Sequence, residues 1–495
     1  MANFFKSLKV RINDLFKVII AFLRENKLVI NKVYFVSIIV YFFLVFLPNI
    51  TTRTPFAAFF NAGITKVIYR IVIALLFGFV SFAAFFANKV KINKILIFSL
   101  LGFFVFLIFA SLFNLSPVTS TPYYNNYHEK VIVIGTIGVI DLLSYYGNLL
   151  FSYIFCFALF TCIPLILVEK DRFLILIDSF IIIMIVLCLL SYILDFRLYI
   201  SALRFNYNQY GSKDISSLFP SKNSFGVFLF QGVAAALIAF HYRQQAKYRF
   251  IYIIVSILFS LTLVFTLCKD AIFALFVFTT IYLVYFLGKQ SKKIKDYVAI
   301  GVFGIFVLLI LILVILIACQ KSLGSNSSFK KIYYFLGANP VSGSDNALLG
   351  RLEMIAVFHL GISGFHYVLG YGHAFETHAY IWSLTYRGAG NGNLHNSFLY
   401  MYGTGGLFYM LFYIGLIAYM GFLIFKTRKD DKKVFYLLFA LLIAHTFYSF
   451  FESSILFLSG SSATTLLSIL FFTLIHKHVE NVMSIQQTSF CEVNV

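Results

Sequence analysis

The stretch FLILIDSFIIIMIVLCLLSYIL, residues 173–194, decides the fold class. It runs 22 residues with a single charge, Asp178. A helix rises about 1.5 Å per residue, so about 20 apolar residues match the ~30 Å hydrocarbon core of a bilayer. The rest of the chain repeats the pattern. Of its 495 residues, 61% are hydrophobic and 12% charged. Soluble domains carry about 25% charged residues. No soluble core can hide this much Phe, Ile and Leu, so the bilayer is the expected solvent for most of the chain.

Twelve segments read as spans: about 33–50, 67–87, 95–113, 147–168, 173–194, 223–240, 250–267, 271–287, 297–319, 396–425, 433–451 and 455–475. The expected fold is therefore all-α, a polytopic membrane helical bundle of about 12 transmembrane helices with a large, partly helical outside loop. Its parts are a basic amphipathic cytoplasmic segment (1–32), helices 1–9 (33–319), the loop (320–395), helices 10–12 (396–476) and a cytoplasmic tail (477–495). In the first segment Phe5, Leu8, Ile12, Leu15 and Ile19 share one helical face, and Lys6, Lys9, Lys17 and Arg24 the other. Such a helix suits the headgroup region of an anionic leaflet. No cleavable signal peptide is expected, so the first span would act as an uncleaved anchor.

The formal charge is +20, from 39 Lys and Arg against 19 Asp and Glu. Its placement matters more than its sum. With the N-terminus inside, 25 of the 39 cations fall on inside segments, although the outside segments are longer in total. The positive-inside rule thus puts both termini in the cytoplasm of a multi-pass cytoplasmic-membrane protein. Runs such as 289–295 and 426–433 are topological anchors, and no nucleic-acid partner is expected. The six cysteines form no CxxC pair. No GxxxxGK[ST] phosphate loop is present, so ATP-driven transport by this chain is not expected.

Four clusters sit at the outer ends of spans. They are Pro220-Ser221-Lys222-Asn223-Ser224-Phe225-Gly226, Cys268-Lys269-Asp270, Gly350-Arg351-Leu352-Glu353, and Asn393-Leu394-His395-Asn396-Ser397. The third lies in a stretch that reads as an amphipathic helix over about 346–362, which Ser344 or Asp345 would cap. Ionisable groups at the edge of hydrocarbon are costly and often mark function. Taken singly, Lys222, Lys269 or Arg351 could instead snorkel to the headgroups. Together, on the face where topology does not ask for cations, they suit a diphosphate. His395 can take a proton from a sugar hydroxyl near neutral pH, with Asn393 and Asn396 orienting it. His366, His373 and His378 match no zinc signature, and no metal or cofactor is expected.

The order of these clusters resembles the O-antigen ligase and Wzy polysaccharide polymerase superfamily. The resemblance rests on Asn223-Ser224-Phe225-Gly226 opening a middle span and Lys269-Asp270-Ala271 opening a later one. It continues with Arg351 in a loop helix, Gly370-Tyr371-Gly372, His395-Asn396 before an apolar run, and a Gly-rich turn, Gly403-Thr404-Gly405-Gly406. It covers about residues 195–425. It implies an inverting, metal-independent glycosyltransferase at the outer face of the cytoplasmic membrane. The donor would be an oligosaccharide on undecaprenyl diphosphate and the acceptor a glycan or lipid, with other polysaccharide-assembly proteins as candidate partners. Lys222, Lys269 and Arg204 would hold diphosphate, and Arg351 and His395 would be catalytic, with Asn223 and Asn396 in support. The family usually has Arg where Lys269 stands, and Lys lacks the bidentate fork of Arg. A flippase for lipid-linked glycan, or another multi-pass transporter, is the rival reading. It would call for polar groups at midspan and related halves.

Overall fold

The structure, a computed structural model, describes residues 2–34, 36–37, 40, 63–88, 98, 101–102, 105–106, 109–110, 123–125, 130–132, 170–203, 215–219, 221–243, 248–266, 268–288, 347–372, 375–387, 394–426, 428 and 432–453. The expected spans 33–50, 95–113, 147–168, 297–319 and 455–475 lie wholly or largely outside this set. The chain divides into two compact units. One is Met1–Phe104, Val139–Ser179 and Leu456–Val495, and the other is Val105–Gly138 and Phe180–Ile455.

The first unit holds α1 (Ala2–Glu25) and α2 (Gly63–Asn88). Phe16 of α1 meets Phe86 of α2 edge-on, ring centroids 5.5 Å apart. Just beyond α1, Asn31 and Asn88 exchange amide hydrogen bonds of 3.0 and 2.6 Å. Ile12, Leu15, Phe16 and Ile19 of the apolar face stay exposed.

Among the described residues the regular structure is helical apart from one hairpin, β1 (Tyr123–Asn125) with β2 (Lys130–Ile132), antiparallel and in register Tyr124↔Val131. α3 (Lys170–Leu194) contributes to both units. The second unit continues with α4 (Phe196–Leu203), α5 (Lys222–Tyr242), α6 (Phe250–Thr266), α7 (Lys269–Gly288), α8 (Ala347–Gly361), α9 (His366–Leu369), α10 (Phe375–Arg387), α11 (Ser397–Lys426) and α12 (Lys432–Phe451). α8 matches the amphipathic helix expected over 346–362. α5, α6, α7 and α12 lie within a few residues of the helical segments expected at 223–240, 250–267, 271–287 and 433–451.

Three described helices are long and apolar enough to cross a membrane: Leu174–Leu194, Lys222–Tyr242 and Ser397–Lys426. The outer surface of these helices is apolar as well as the interior. On α6 the exposed stripe is Phe250, Ile254, Ile257, Leu261 and Val264, whereas Ser256, Thr262 and Thr266 are buried. Along α3, Ile182, Val186, Leu189 and Ile193 face outward and Ser191 inward. Exposed apolar area costs about 25 cal/mol per Å² in water. Stripes like these are stable against hydrocarbon.

α11 departs from the single straight span expected over 396–425. Gly406 has φ 72° and ψ −171°, which breaks the helix into arms 397–405 and 407–426. Phe398 and Tyr413 lie on opposite arms, yet their ring centroids are 5.9 Å apart. A straight helix would separate their Cα atoms by about 22 Å. The first arm therefore folds back toward the second. The Val368 carbonyl fills the space where a Cβ on Gly406 would sit. The bend frees the Gly403 carbonyl, which accepts from the Tyr371 N–H at 2.7 Å. Only glycine takes a positive φ here at low cost.

A small apolar core then ties the loop helices to α11. Met354, Val357 and Phe358 of α8, Phe375, Ala379 and Trp382 of α10, and Tyr371 pack with Leu394, the residue before His395. Outside it, the Tyr400 hydroxyl donates to Glu376 at 2.9 Å.

Candidate functional site

Helix ends build the site. Before α5, the buried Asp195 carboxylate accepts from the backbone N–H groups of Ser216 (3.1 Å) and Ser217 (2.9 Å). Ser217 adopts φ 52°, and its hydroxyl donates to the Leu187 carbonyl at 2.9 Å. This clasp leads into Ser221, which caps α5 by accepting from the Ser224 N–H at 3.2 Å. Lys222 and Asn223 then open α5.

α7 begins against this end of α5. A Cβ on Gly226 would lie 2.6 Å from the Cys268 Cβ and 3.4 Å from the Ala271 Cβ, so the absent side chain lets the helices touch. Burial pushes the Cys268 thiol far above its usual range. Asp270 and Glu452 push the same way, while the Lys222 charge opposes them. One buried thiol thus feels Lys222, Asp270 and Glu452 together. Lys269 is the first residue of α7 and is half-buried.

α11 starts at the same end. Asn396 caps it, its Oδ1 accepting from the N–H groups of Phe398 and Leu399, both at 3.0 Å. The Asn396 amide also donates to the Phe450 carbonyl at 3.1 Å, and the Ser397 hydroxyl donates to the Glu452 carbonyl at 2.9 Å. These bonds pin α11 to the end of α12. His395 is held between them at φ 50°, a left-handed conformation rare for a residue with a Cβ. Strain of this kind costs about 1–3 kcal/mol and gathers at functional sites.

Glu452 joins the pieces. Its Oε1 accepts from the Asn223 amide at 2.7 Å, and its Oε2 lies 3.0 Å from the His395 Nδ1. The Glu452 side chain is 8% exposed, so it is largely sheltered from solvent screening. An ionised carboxylate only accepts hydrogen bonds, which requires Nδ1 to carry the proton. In the neutral imidazole Nε2 is then the unprotonated nitrogen, the one able to act as a base. α5, α7 and α11 begin here, and the positive ends of their dipoles favour anions.

Of the sequence-predicted residues, Lys222, Asn223, Lys269, His395 and Asn396 stand at helix starts that share this end. Arg351 is in α8, and its side chain lies outside the described residues, as do Arg204, Asn393, Ser344 and Asp345. Glu452 was not anticipated. It lies beside an apolar run at a helix end, the same signal that singles out Lys222. His366 and His378 do something else: their rings pack on Tyr371, with centroids 3.8 and 4.3 Å away. Burial, with His366 nearby, pushes the His378 imidazole down to about 4. Among the described residues no group of three or more His, Cys, Asp or Glu is arranged to hold a metal ion. No family model matches the chain, and no curated protein matches it.

Proposed function

We propose that the chain is a multi-pass glycosyltransferase that polymerises or ligates undecaprenyl-diphosphate-linked oligosaccharide at the outer face of the cytoplasmic membrane. The observation that carries this reading is the Asn223–Glu452–His395 relay. A buried carboxylate holds an imidazole in the tautomer a base requires, at an end where three helices begin. The charge rule independently assigns all of these residues to the outer face, in a topology of about twelve spans with both termini inside.

In this mechanism His395 Nε2 takes the proton of the acceptor hydroxyl as the oxygen attacks the anomeric carbon of the donor. The bond from that carbon to the diphosphate oxygen breaks, with inversion. Lys222, Lys269, Arg351 and the helix starts offset the charge that develops on the leaving undecaprenyl diphosphate. Glu452 stabilises the imidazolium that forms. The donor linkage is already activated, so no nucleotide takes part. Alanine substitution of His395 and, separately, of Arg351 tests the reading in cells. Polymer of normal length from both variants, inserted at normal levels, would sink it.

One observation favours the transporter alternative. Gln231 is fully buried about 13 Å into α5, and neither end of its amide has a hydrogen-bond partner among the described residues. Purified protein in vesicles separates the two readings: a transferase yields a new glycosidic bond, a transporter moves the intact lipid.

A further inference from the structure

We propose that α9 and the residues flanking it form a hydrophobic wedge seated in the outer leaflet, its ligand being lipid acyl chains. The inference rests on the membrane reading of the helices and not on glycosyl transfer.

Depth comes first. The arm 407–426 of α11 is about 30 Å long, the thickness of the hydrocarbon core. Its far end carries cations stacked on rings: Lys426 Nζ lies 4.6 Å from the Phe422 ring centre, and the Arg428 guanidinium 5.7 Å from that of Phe425. Such residues anchor a helix at the interface. The Gly406 elbow therefore stands at the opposite boundary. Val368 and Leu369 are seated on that elbow by backbone contact, and Gly370 packs against Thr404 and Gly405. These contacts fix α9 at the same level.

The second step is what α9 presents. Leu360 and Phe365 are 61% and 62% exposed, and Tyr367 and Val368 are also exposed. Large apolar side chains this open are costly in water. Leu407, Phe408 and Leu411, with which the second arm begins next to the Val368 seat, are exposed as well. The lipid-facing surface of the spanning arm thus continues across the elbow onto the loop. Tyr367, one of these exposed residues, is of a type enriched where hydrocarbon meets headgroups. The wedge also explains how the loop core keeps Leu394, and with it His395, close to the membrane surface where a lipid-linked donor carries its diphosphate.

Two reporter variants of the full chain, F365W and L360W, test this in proteoliposomes whose phospholipid is brominated near the top of its acyl chains. The parent, with only the buried Trp382, supplies the background. Each added tryptophan is expected to emit at short wavelength, to lose most of its intensity to the brominated lipid, and to resist iodide. Either variant suffices if the other does not insert. Quenching by iodide without quenching by bromine would overturn the proposal. Protection from both quenchers, with cross-linking to a second copy, would overturn it in favour of a protein contact. A separate transfer assay of H395A keeps failure here distinct from failure of the glycosyltransferase reading.

Discussion

Replacing Glu452 with glutamine changes one carboxylate oxygen to an amide nitrogen and inverts the logic of the site. The Asn223 amide needs an acceptor, so the oxygen of the introduced side chain stays opposite it, where the carboxylate now sits at 2.7 Å. The introduced NH₂ then faces His395 Nδ1, 3.0 Å away in the parent. Two donors cannot share that contact, so the imidazole moves its proton to Nε2 and accepts at Nδ1. The nitrogen facing the acceptor hydroxyl no longer has a lone pair. A positioned general base contributes about 10²–10⁴-fold, or roughly 3–5 kcal/mol of barrier. E452Q should lose about that factor in kcat with little change in KM, because Glu452 is buried and holds no part of the donor. Its thermal stability should change little, since the Asn223 bond survives. E452D should fall between the two: a side chain one methylene shorter cannot hold both partners at their present distances. Initial rates of transfer from lipid-linked donor by purified variants provide the assay. An E452Q enzyme within a few-fold of the parent would refute the relay.

Four further outcomes follow from the same geometry. Gly406→Ala must place a Cβ against the Val368 carbonyl at φ 72°, and should cost about 1–3 kcal/mol in detergent melting, whereas Gly415→Ala, with open space around it, should cost little. Asp195→Ala removes the acceptor for two backbone N–H groups and should lower stability by about 1–3 kcal/mol by the same measurement. His378 sits near 4 when folded, below the ordinary imidazole value, so between those values the unfolded chain binds the extra proton. Stability attributable to it should therefore fall as pH drops through that window, and H378F should flatten the dependence when melting is compared across it. Cys268 is buried and its thiol held protonated, so maleimide should label it only after unfolding; Gly226→Val, which pushes on Cys268, should speed that labelling and reduce transfer.

The described apolar helices were legible because the signal is local. Residues 173–194 and 250–266 announce themselves by apolar length, and α8 by its periodicity. That Lys222, Lys269 and His395 would gather at one end was legible too, because the Lys and Arg pattern assigns them to the same side. The bend in α11 was legible only in part: the resemblance implies a Gly-rich turn at Gly403–Gly406, yet hydropathy runs one span straight through it, and the seat offered to the Val368 carbonyl explains the positive φ of Gly406. Residues 120–135 carry no alternation strong enough to announce the β1–β2 hairpin. Glu452 escaped for a different reason. Its partners, Asn223 and His395, stand 229 and 57 positions away, and no spacing rule links them. The histidines of the loop match no zinc signature, and their spacing conceals that His366 and His378 lean on one tyrosine.

The most direct measurement uses purified protein in liposomes with a defined undecaprenyl-diphosphate oligosaccharide and no nucleotide. Wild-type protein is expected to form a new glycosidic bond and release one undecaprenyl diphosphate for each bond made, and H395A neither. Intact lipid crossing the bilayer with no bond formed, or equal product from H395A, would contradict the account.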